Sequence, residues 1–308
     1  MPRPGWTRVR IASGIVLAVG IIAVSTASIF IRYAQSEAPS LVIATYRLAI
    51  ASLVLMPVAW QSRRAELRSL GTRELGLGVA AGVFLALHFA TWVTSLEYTT
   101  VASSVVLVST SPVWVSLAAW ILLRERLTRP EVFGLVLAVG GSLVVGLSDT
   151  VQKPESSPLL GNALALTGAL MVAGYWLIGR RLRQNMSLTS YVAVVYGTAA
   201  AVLLIMTGAA RLPLTGYQPI VYVWLLLLGL IPQLIGHSSF NWALARLPAT
   251  FVAVATLGEP IGSTTLAYFL LGEAPTLLKI FGALLVFVGI VLTLRHQANL
   301  APSSIGAV

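Results

Sequence analysis

Four ionisable side chains lie inside long apolar segments of this 308-residue sequence: Arg47, His88, His237 and Glu259. An ionisable group at the depth of a bilayer is costly, so such a residue is a functional candidate by default. Arg47 could bind a carboxylate through two nitrogens, and Glu259 could accept an ammonium group or carry a proton. Each histidine can donate and accept hydrogen bonds and titrates near neutral pH. This chemistry suits a site that binds a small solute.

Each of these residues also has a structural interpretation. Glu259 could pair with Arg47 as a fastening between helices, or accept hydrogen bonds from nearby backbone. Arg47 could instead extend to the membrane interface. The two histidines could simply make hydrogen bonds between helices. The sequence leaves these alternatives open.

Polar and aromatic residues accompany the histidines at helical spacing. His88 and Trp92 are four residues apart and share a helical face, as do His237 and Asn241. Aromatic contacts contribute about 0.5–1.5 kcal/mol each beyond area burial, which would suit an indole or phenyl solute. Hydroxyl groups precede Pro112 and could meet a charged solute end, or bond back into their own helix. The predicted substrate-binding residues are Arg47, His88, Trp92, Tyr46, Ser109, Ser111, Tyr175, Trp176, His237, Asn241 and Glu259.

The elements that carry these residues are membrane helices. Hydrophobic residues make up 57% of the chain and charged residues 10%, which excludes an ordinary soluble domain. A transmembrane helix needs roughly 20 mainly apolar residues. The sequence therefore predicts an all-α polytopic membrane protein with ten transmembrane helices. The predicted spans are 11–31, 40–60, 75–96, 100–122, 131–148, 159–179, 190–208, 221–244, 249–271 and 277–294.

The first span follows three arginines and could be read as a signal peptide. Its length and the nine spans after it favour a retained helix. The chain contains no cysteine, which excludes disulfides, thiolate metal sites and cysteine nucleophiles. No cofactor is predicted.

A constant offset of 148 residues relates two parts of the chain. It joins Pro112 to Pro260, Glu125 to Glu273, Gly134 to Gly282 and Gly141 to Gly289. The polar stretch 149–158 separates the parts, so we predict one five-helix repeat at 1–150 and a second at 151–308. Because five is odd, the second copy must cross the membrane in the opposite sense. Inverted repeats of this kind are common in secondary transporters.

The two repeated prolines fall near the middle of the fourth and ninth spans. Each removes one helical hydrogen bond, so we expect the helix to be interrupted there. The interruption could line a cavity, act as a flexing point, or be a fixed bend. Small residues four apart, such as Gly78 and Gly82, predict close helix packing.

The net charge of +10 is unevenly distributed between the predicted loops. With the N-terminus inside, one face of the membrane receives fifteen of the 20 basic residues and the other receives four. This is the positive-inside bias, and it predicts that both termini are cytoplasmic. Anionic lipid explains the basicity, so no nucleic-acid partner is expected. No obligate protein partner is evident.

The residues around the repeated prolines resemble a known family. The strings Ser111-Pro112 with 122–128, and Gly258-Glu259-Pro260 with 270–273, are similar to the signature of the drug/metabolite transporter superfamily, in its EamA-type branch. The second copy departs from it, since Ala274-Pro275 stands where the first has Arg-Leu. The resemblance covers about residues 11–295 and implies a tandem of two five-helix units. More loosely, the chain resembles YddG-type aromatic amino-acid exporters of bacterial inner membranes.

This resemblance implies an inner-membrane secondary transporter that exports neutral amino acids, aromatic ones above all. The alternatives are the same fold moving a drug, a cation or another small metabolite, and, more remotely, an intramembrane hydrolase. No Walker loop, Gly-x-Ser-x-Gly elbow or His-Glu-x-x-His motif is present, so we predict that the protein is not an enzyme. The predicted partners are a small-molecule substrate and the lipid bilayer.

Overall fold

The computed structural model describes residues 4–123, 129–148, 157–246, 252 and 255–300. Over these residues the chain forms helices and no strand. In chain order they are α1 (Pro4–Ser25), α2 (Ala27–Ala34), α3 (Ser40–Ser69), α4 (Thr72–Tyr98), α5 (Val101–Val108), α6 (Ser111–Leu123), α7 (Arg129–Leu147), α8 (Pro158–Leu182), α9 (Leu188–Ala209), α10 (Pro219–Leu228), a π-helix (Gly229–His237), α11 (Ser238–Leu244), α12 (Gly258–Leu271) and α13 (Leu277–Leu300).

Six helical segments among the described residues are long and apolar enough to cross a membrane. They are Gly14–Ala34, Ser40–Ser69, Thr72–Tyr98, Pro158–Leu182, Leu188–Ala209 and Pro219–Leu244. Shorter apolar helices occupy Val101–Val115, Val132–Val145 and Leu277–Leu292. The chain is therefore a multi-pass helical membrane protein. The number ten stays a prediction, because the start of the ninth span, together with Glu125 and most of the predicted inter-repeat segment, lies outside the described residues.

The helix is interrupted immediately before each repeated proline. In the fourth predicted span, α5 ends at Val108 and α6 begins at Ser111, one residue before Pro112. In the ninth, a turn at 256–257 precedes Gly258, where α12 begins. A proline has no backbone N–H, so the carbonyl four residues earlier loses its helical donor. The interruptions predicted from the sequence are confirmed.

Helices α7 and α13 pack through the repeated glycines. A Cβ atom on Gly141 would lie 2.6 Å from the carbonyl oxygen of Gly282, and one on Gly289 would lie 2.5 Å from that of Gly134. Real Cβ atoms do not approach backbone so closely, so each glycine is needed for this helix contact. The two contacts are equivalent. The offset of 148 residues converts Gly141 to Gly289 and Gly134 to Gly282, so the contact of Gly141 with Gly282 corresponds to that of Gly289 with Gly134.

A second reciprocal contact joins helices from the two parts of the chain. A Cβ on Gly82 of α4 would lie 2.9 Å from the carbonyl oxygen of Val195 in α9. In the second part, a Cβ on Gly229 would lie 3.4 Å from the carbonyl oxygen of Arg47 in α3. The offsets are 147 for the glycines and 148 for the carbonyls. The same contact is thus made twice with the two parts exchanged.

Candidate functional site

A cavity lies where α4, α8 and the π-helix approach the two interrupted helices. Its volume is about 40 Å³, which is much smaller than an amino acid needs. Its wall combines two tryptophans, two histidines, hydroxyl groups and one carboxylate. The lining residues are His88, Trp92, Val108, Ser109, Ser111, Val172, Trp176, His237, Phe240, Thr256 and Glu259.

Seven of the eleven predicted site residues line this cavity. They are His88, Trp92, Ser109, Ser111, Trp176, His237 and Glu259. The helix interruptions explain how some of them reach it, since Ser109 lies in the turn between α5 and α6, and Ser111 and Glu259 lie at the first turns of α6 and α12. The repeated break thus brings groups from distant parts of the sequence to one place.

Arg47 is fully buried beside this cavity, against two aromatic rings. Its guanidinium carbon lies 4.1 Å from the ring centre of Phe89 and 5.7 Å from that of Trp92. Because the side chain has no exposed area, the alternative that it extends to the membrane interface is wrong. Direct pairing with Glu259 is also absent, since among the described residues the one ion pair within 4 Å joins Arg32 to Glu273.

Tyr175 and Asn241 form a buried hydrogen-bonded pair that does not line the cavity. The Tyr175 hydroxyl donates to Asn241 Oδ1 at 2.8 Å, and Asn241 Nδ2 donates to the Tyr196 hydroxyl at 3.3 Å. Both side chains are fixed by these bonds. Tyr46 lies farther away, and its hydroxyl donates to the Leu214 carbonyl at 2.8 Å in the segment between α9 and α10.

The rings of both histidines contact the ring of Phe89. His88 Nδ1 lies 2.9 Å from the Gly168 carbonyl oxygen, and its ring stacks on Trp92 at 5.9 Å. A carbonyl only accepts, so Nδ1 carries the hydrogen and Nε2 of the neutral ring is an acceptor. His237 meets the Phe89 ring edge-on at 5.3 Å. The interhelical hydrogen bond expected for His88 as a structural role is therefore present.

The π-helix accommodates one residue that α4 lacks. A Cβ on Gly168 would lie 3.5 Å from the His88 carbonyl oxygen, and one on Gly20 would lie 3.5 Å from that of Gly236. These two contacts are related by the offset of 148 residues, so Gly236 is the equivalent of His88, and Gly229 is the equivalent of Gly82. Gly82 and His88 are six residues apart, whereas Gly229 and Gly236 are seven residues apart. A π-turn takes up one extra residue, and such turns occur often at functional sites.

Four lining residues were not predicted from the sequence: Val108, Val172, Phe240 and Thr256. The repeat offset could have identified one of them, Phe240, which lies 148 residues after the predicted Trp92. The same offset relates Thr256 to Val108, but neither of these two residues was predicted.

Comparison with known proteins identifies the family. The EamA-like transporter family matches this chain twice, at residues 12–147 and 159–295. The chain belongs to the EamA-like transporter family. The predicted resemblance to the drug/metabolite transporter superfamily is thereby confirmed.

Relatives of this EamA-family chain are also transporters. An uncharacterized transporter of Archaeoglobus fulgidus is 26% identical over 92% of this chain and 97% of its own length. A probable terminal-alkyne amino-acid exporter of Streptantibioticus cattleyicolor is 27% identical, covering 62% of this chain and 63% of its own. A riboflavin transporter of Brucella anthropi is 25% identical, covering 62% and 64%.

A solved structure shares the fold of this EamA-family chain. The crystal structure of a protein 16% identical in sequence superposes with a TM-score of 0.67, covering 94% of this chain and 99% of the other. At this identity the likeness concerns the fold alone.

Proposed function

We propose that this protein is a secondary transporter that exports neutral amino acids, aromatic ones above all, across the bacterial inner membrane by alternating access. The observation that carries the proposal is the cavity. It is built from both segments that match the family, and it joins two tryptophans to the one carboxylate among its described lining residues, that of Glu259. Such a wall suits a solute with an aromatic body and an ammonium end.

The proposed architecture is ten spans in two inverted five-helix repeats, residues 1–150 and 151–308. Two features support it. The family matches the chain once in each repeat. The glycine contacts between α7 and α13 occur in both directions. The contact between α4 and α9 in turn corresponds to the contact between the π-helix and α3, with the two copies exchanged. A two-fold axis in the membrane plane would produce such reciprocity.

In the proposed mechanism, the solute's aromatic side chain contacts Trp92 and Trp176. Its ammonium group faces Glu259, and Ser109 and Ser111 supply hydroxyl groups at the helix break. Sites for drug-sized ligands typically occupy about 300–1,000 Å³, so the small cavity must enlarge to admit the solute. Rocking of one repeat against the other would enlarge it towards one side of the membrane and close it towards the other.

The proposed orientation places both termini in the cytoplasm, where the basic residues concentrate. Interfacial tryptophans support this face as a membrane boundary. Arg64 and Arg68 lie over Trp60, at 4.9 and 5.6 Å from the ring centre, and Arg246 lies over Trp242 at 3.7 Å. Tryptophan and arginine together are typical of the interface with anionic lipid headgroups.

A second candidate function keeps the same fold but changes the solute to a drug-like cation or another small metabolite. The observation that favours a cation is that Glu259 is the one charged side chain lining the cavity among the described residues.

Counterflow in proteoliposomes tests the proposed function. Vesicles loaded with unlabelled solute are screened against each of the twenty labelled amino acids, with and without a pH gradient. We expect uptake of labelled aromatic amino acids, and loss of that uptake in Glu259→Gln. Glu74→Gln, an exposed carboxylate at the start of α4, is the matched control and should transport normally. Uptake of organic cations with no uptake of any amino acid would contradict the proposal and favour the second candidate.

A further inference from the structure

The buried guanidinium of Arg47 has hydrogen-bond donors that meet no acceptor among the described residues. Its Nε donates to Gln233 Oε1 at 2.8 Å, but Nη1 and Nη2 have no hydrogen-bond partner among the described residues. The indole Nε1 of Trp92 is likewise buried and without a partner. The Trp92 ring centre lies 5.7 Å from the guanidinium carbon, so these donors belong to one neighbourhood.

A buried cation without a counter-charge is strongly unfavourable, so this arrangement calls for an anion. Glu259, the carboxylate that lines the cavity, does not approach Arg47 within 4 Å. Gln233 is neutral and satisfies one nitrogen only. The missing partner must therefore supply negative charge and acceptor atoms.

The chemistry of the free atoms indicates which anion fits. All three are N–H donors, and two belong to the planar end of one guanidinium, which matches the two oxygens of a carboxylate. A phosphate would carry more charge than one guanidinium can balance, and Arg47 is the single Lys or Arg in the apolar interior of the predicted spans. Trp92 also lines the cavity, so it connects the cavity with these donors.

We propose that Arg47 and Trp92 form the binding site for the carboxylate of the transported solute, and that Gln233 is a positioning residue for Arg47. This inference rests on the proposed transport function and narrows its substrates to carboxylate-bearing solutes. Glu259 would then meet the ammonium end of a zwitterion, and the two ends would be recognised by separate groups.

The orientation of Gln233 follows from the same chemistry. Arginine can only donate, so the amide must present its oxygen to Nε. Gln233 lies in the π-helix, whose extra residue changes the register of this segment relative to α4. Replacing Gln233 by Glu would place a resident carboxylate beside Arg47 with little change in shape. That carboxylate would compete with the carboxylate of the solute.

The test compares three solutes that share a phenyl group: phenylalanine, 3-phenylpropionate, which lacks the amine, and phenethylamine, which lacks the carboxylate. Binding is measured as the rise in unfolding temperature of the purified full-length protein in detergent at increasing solute concentration. We expect phenylalanine and 3-phenylpropionate to bind the wild type. In Gln233→Glu their affinity should fall by roughly 10- to 100-fold, the loss expected for a charge-assisted hydrogen-bonded pair.

Gln233→Glu is the decisive variant because it should raise the unfolding temperature of the solute-free protein while weakening carboxylate binding. A purely structural role for Arg47 predicts the rise without the loss of binding. Arg47→Gln should also lose carboxylate binding, provided that it folds. Arg246→Gln, at an exposed arginine that does not line the cavity, is the charge-matched control and should bind as wild type.

The outcomes separate this inference from the proposed function. Unchanged affinity for 3-phenylpropionate in Gln233→Glu would overturn the carboxylate site. If no phenyl solute binds but aliphatic monocarboxylates do, and lose affinity in Gln233→Glu, the preference for aromatic solutes fails and the carboxylate site stands. If phenethylamine binds and no carboxylate does, the carboxylate site is overturned.

Discussion

Replacing Gly141 by alanine should force α7 and α13 apart. The new Cβ would lie 2.6 Å from the Gly282 carbonyl oxygen and 2.7 Å from the Val286 backbone nitrogen. Both atoms belong to backbone, so no side-chain rotation relieves the overlap, and overpacking of this kind costs about 1–3 kcal/mol. In a helix interior, alanine is more stabilising than glycine by about 0.5–1 kcal/mol of unfolding free energy. The net effect is a loss of about 0–2.5 kcal/mol of unfolding free energy, taking the extremes of both estimates.

The neighbouring Gly140 provides a matched control. A Cβ there would meet nothing within 4 Å, so Gly140→Ala should keep the helix-propensity gain without the overlap. The assay is the free energy of unfolding of each variant in mixed detergent micelles. The two variants should differ by about 1–3 kcal/mol, with Gly141→Ala the less stable. Equal stability would refute the close contact between these helices.

Two further predictions concern single hydrogen-bonded side chains. Glu273→Gln breaks the 2.8 Å ion pair with Arg32 and should lower the unfolding free energy by about 1 kcal/mol, since the pair is only partly buried. Glu74→Gln is the control and should have a smaller effect, because the amide oxygen can still accept the hydrogen bond from the Gly71 N–H. Equal effects of the two substitutions would contradict the role of the ion pair. Tyr175→Phe leaves the buried Asn241 Oδ1 without its donor and should lower the unfolding free energy by about 1–3 kcal/mol. Tyr268→Phe, at an exposed position, is the control and should change it very little. A negligible loss of unfolding free energy in Tyr175→Phe would exclude this hydrogen bond.

The sequence predicts the helical membrane class, the helix breaks and close helix packing at small residues four apart, such as Gly78 and Gly82. These follow from local chemistry: apolar length defines a span, Pro112 and Pro260 each remove a backbone donor, and a glycine admits a neighbouring helix. The constant offset of 148 residues adds long-range information. It relates Ser111 to Glu259, and both line the cavity.

The rest of the site depends on tertiary contacts that no local pattern encodes. Tyr46 and Trp92 are both aromatic residues within apolar segments, yet one bonds the segment between α9 and α10 and the other lines the cavity. Whether Arg47 extends to an interface or is buried depends on helices distant in sequence. The π-helix could not be predicted from the sequence. Its one extra residue is recognised only by comparing equivalent helix contacts in the two parts of the chain, and these contacts are tertiary.

Accessibility of the cavity from each side of the membrane tests the central claim most directly. The chain lacks cysteine, so Ser111→Cys introduces one reactive thiol at the cavity wall without any background. Oriented vesicles are treated with a membrane-impermeant maleimide from one side or the other, with and without solute. An alternating-access transporter predicts labelling from both sides, with solute or a gradient shifting reactivity from one side to the other. Labelling confined to one side under every condition would contradict the account.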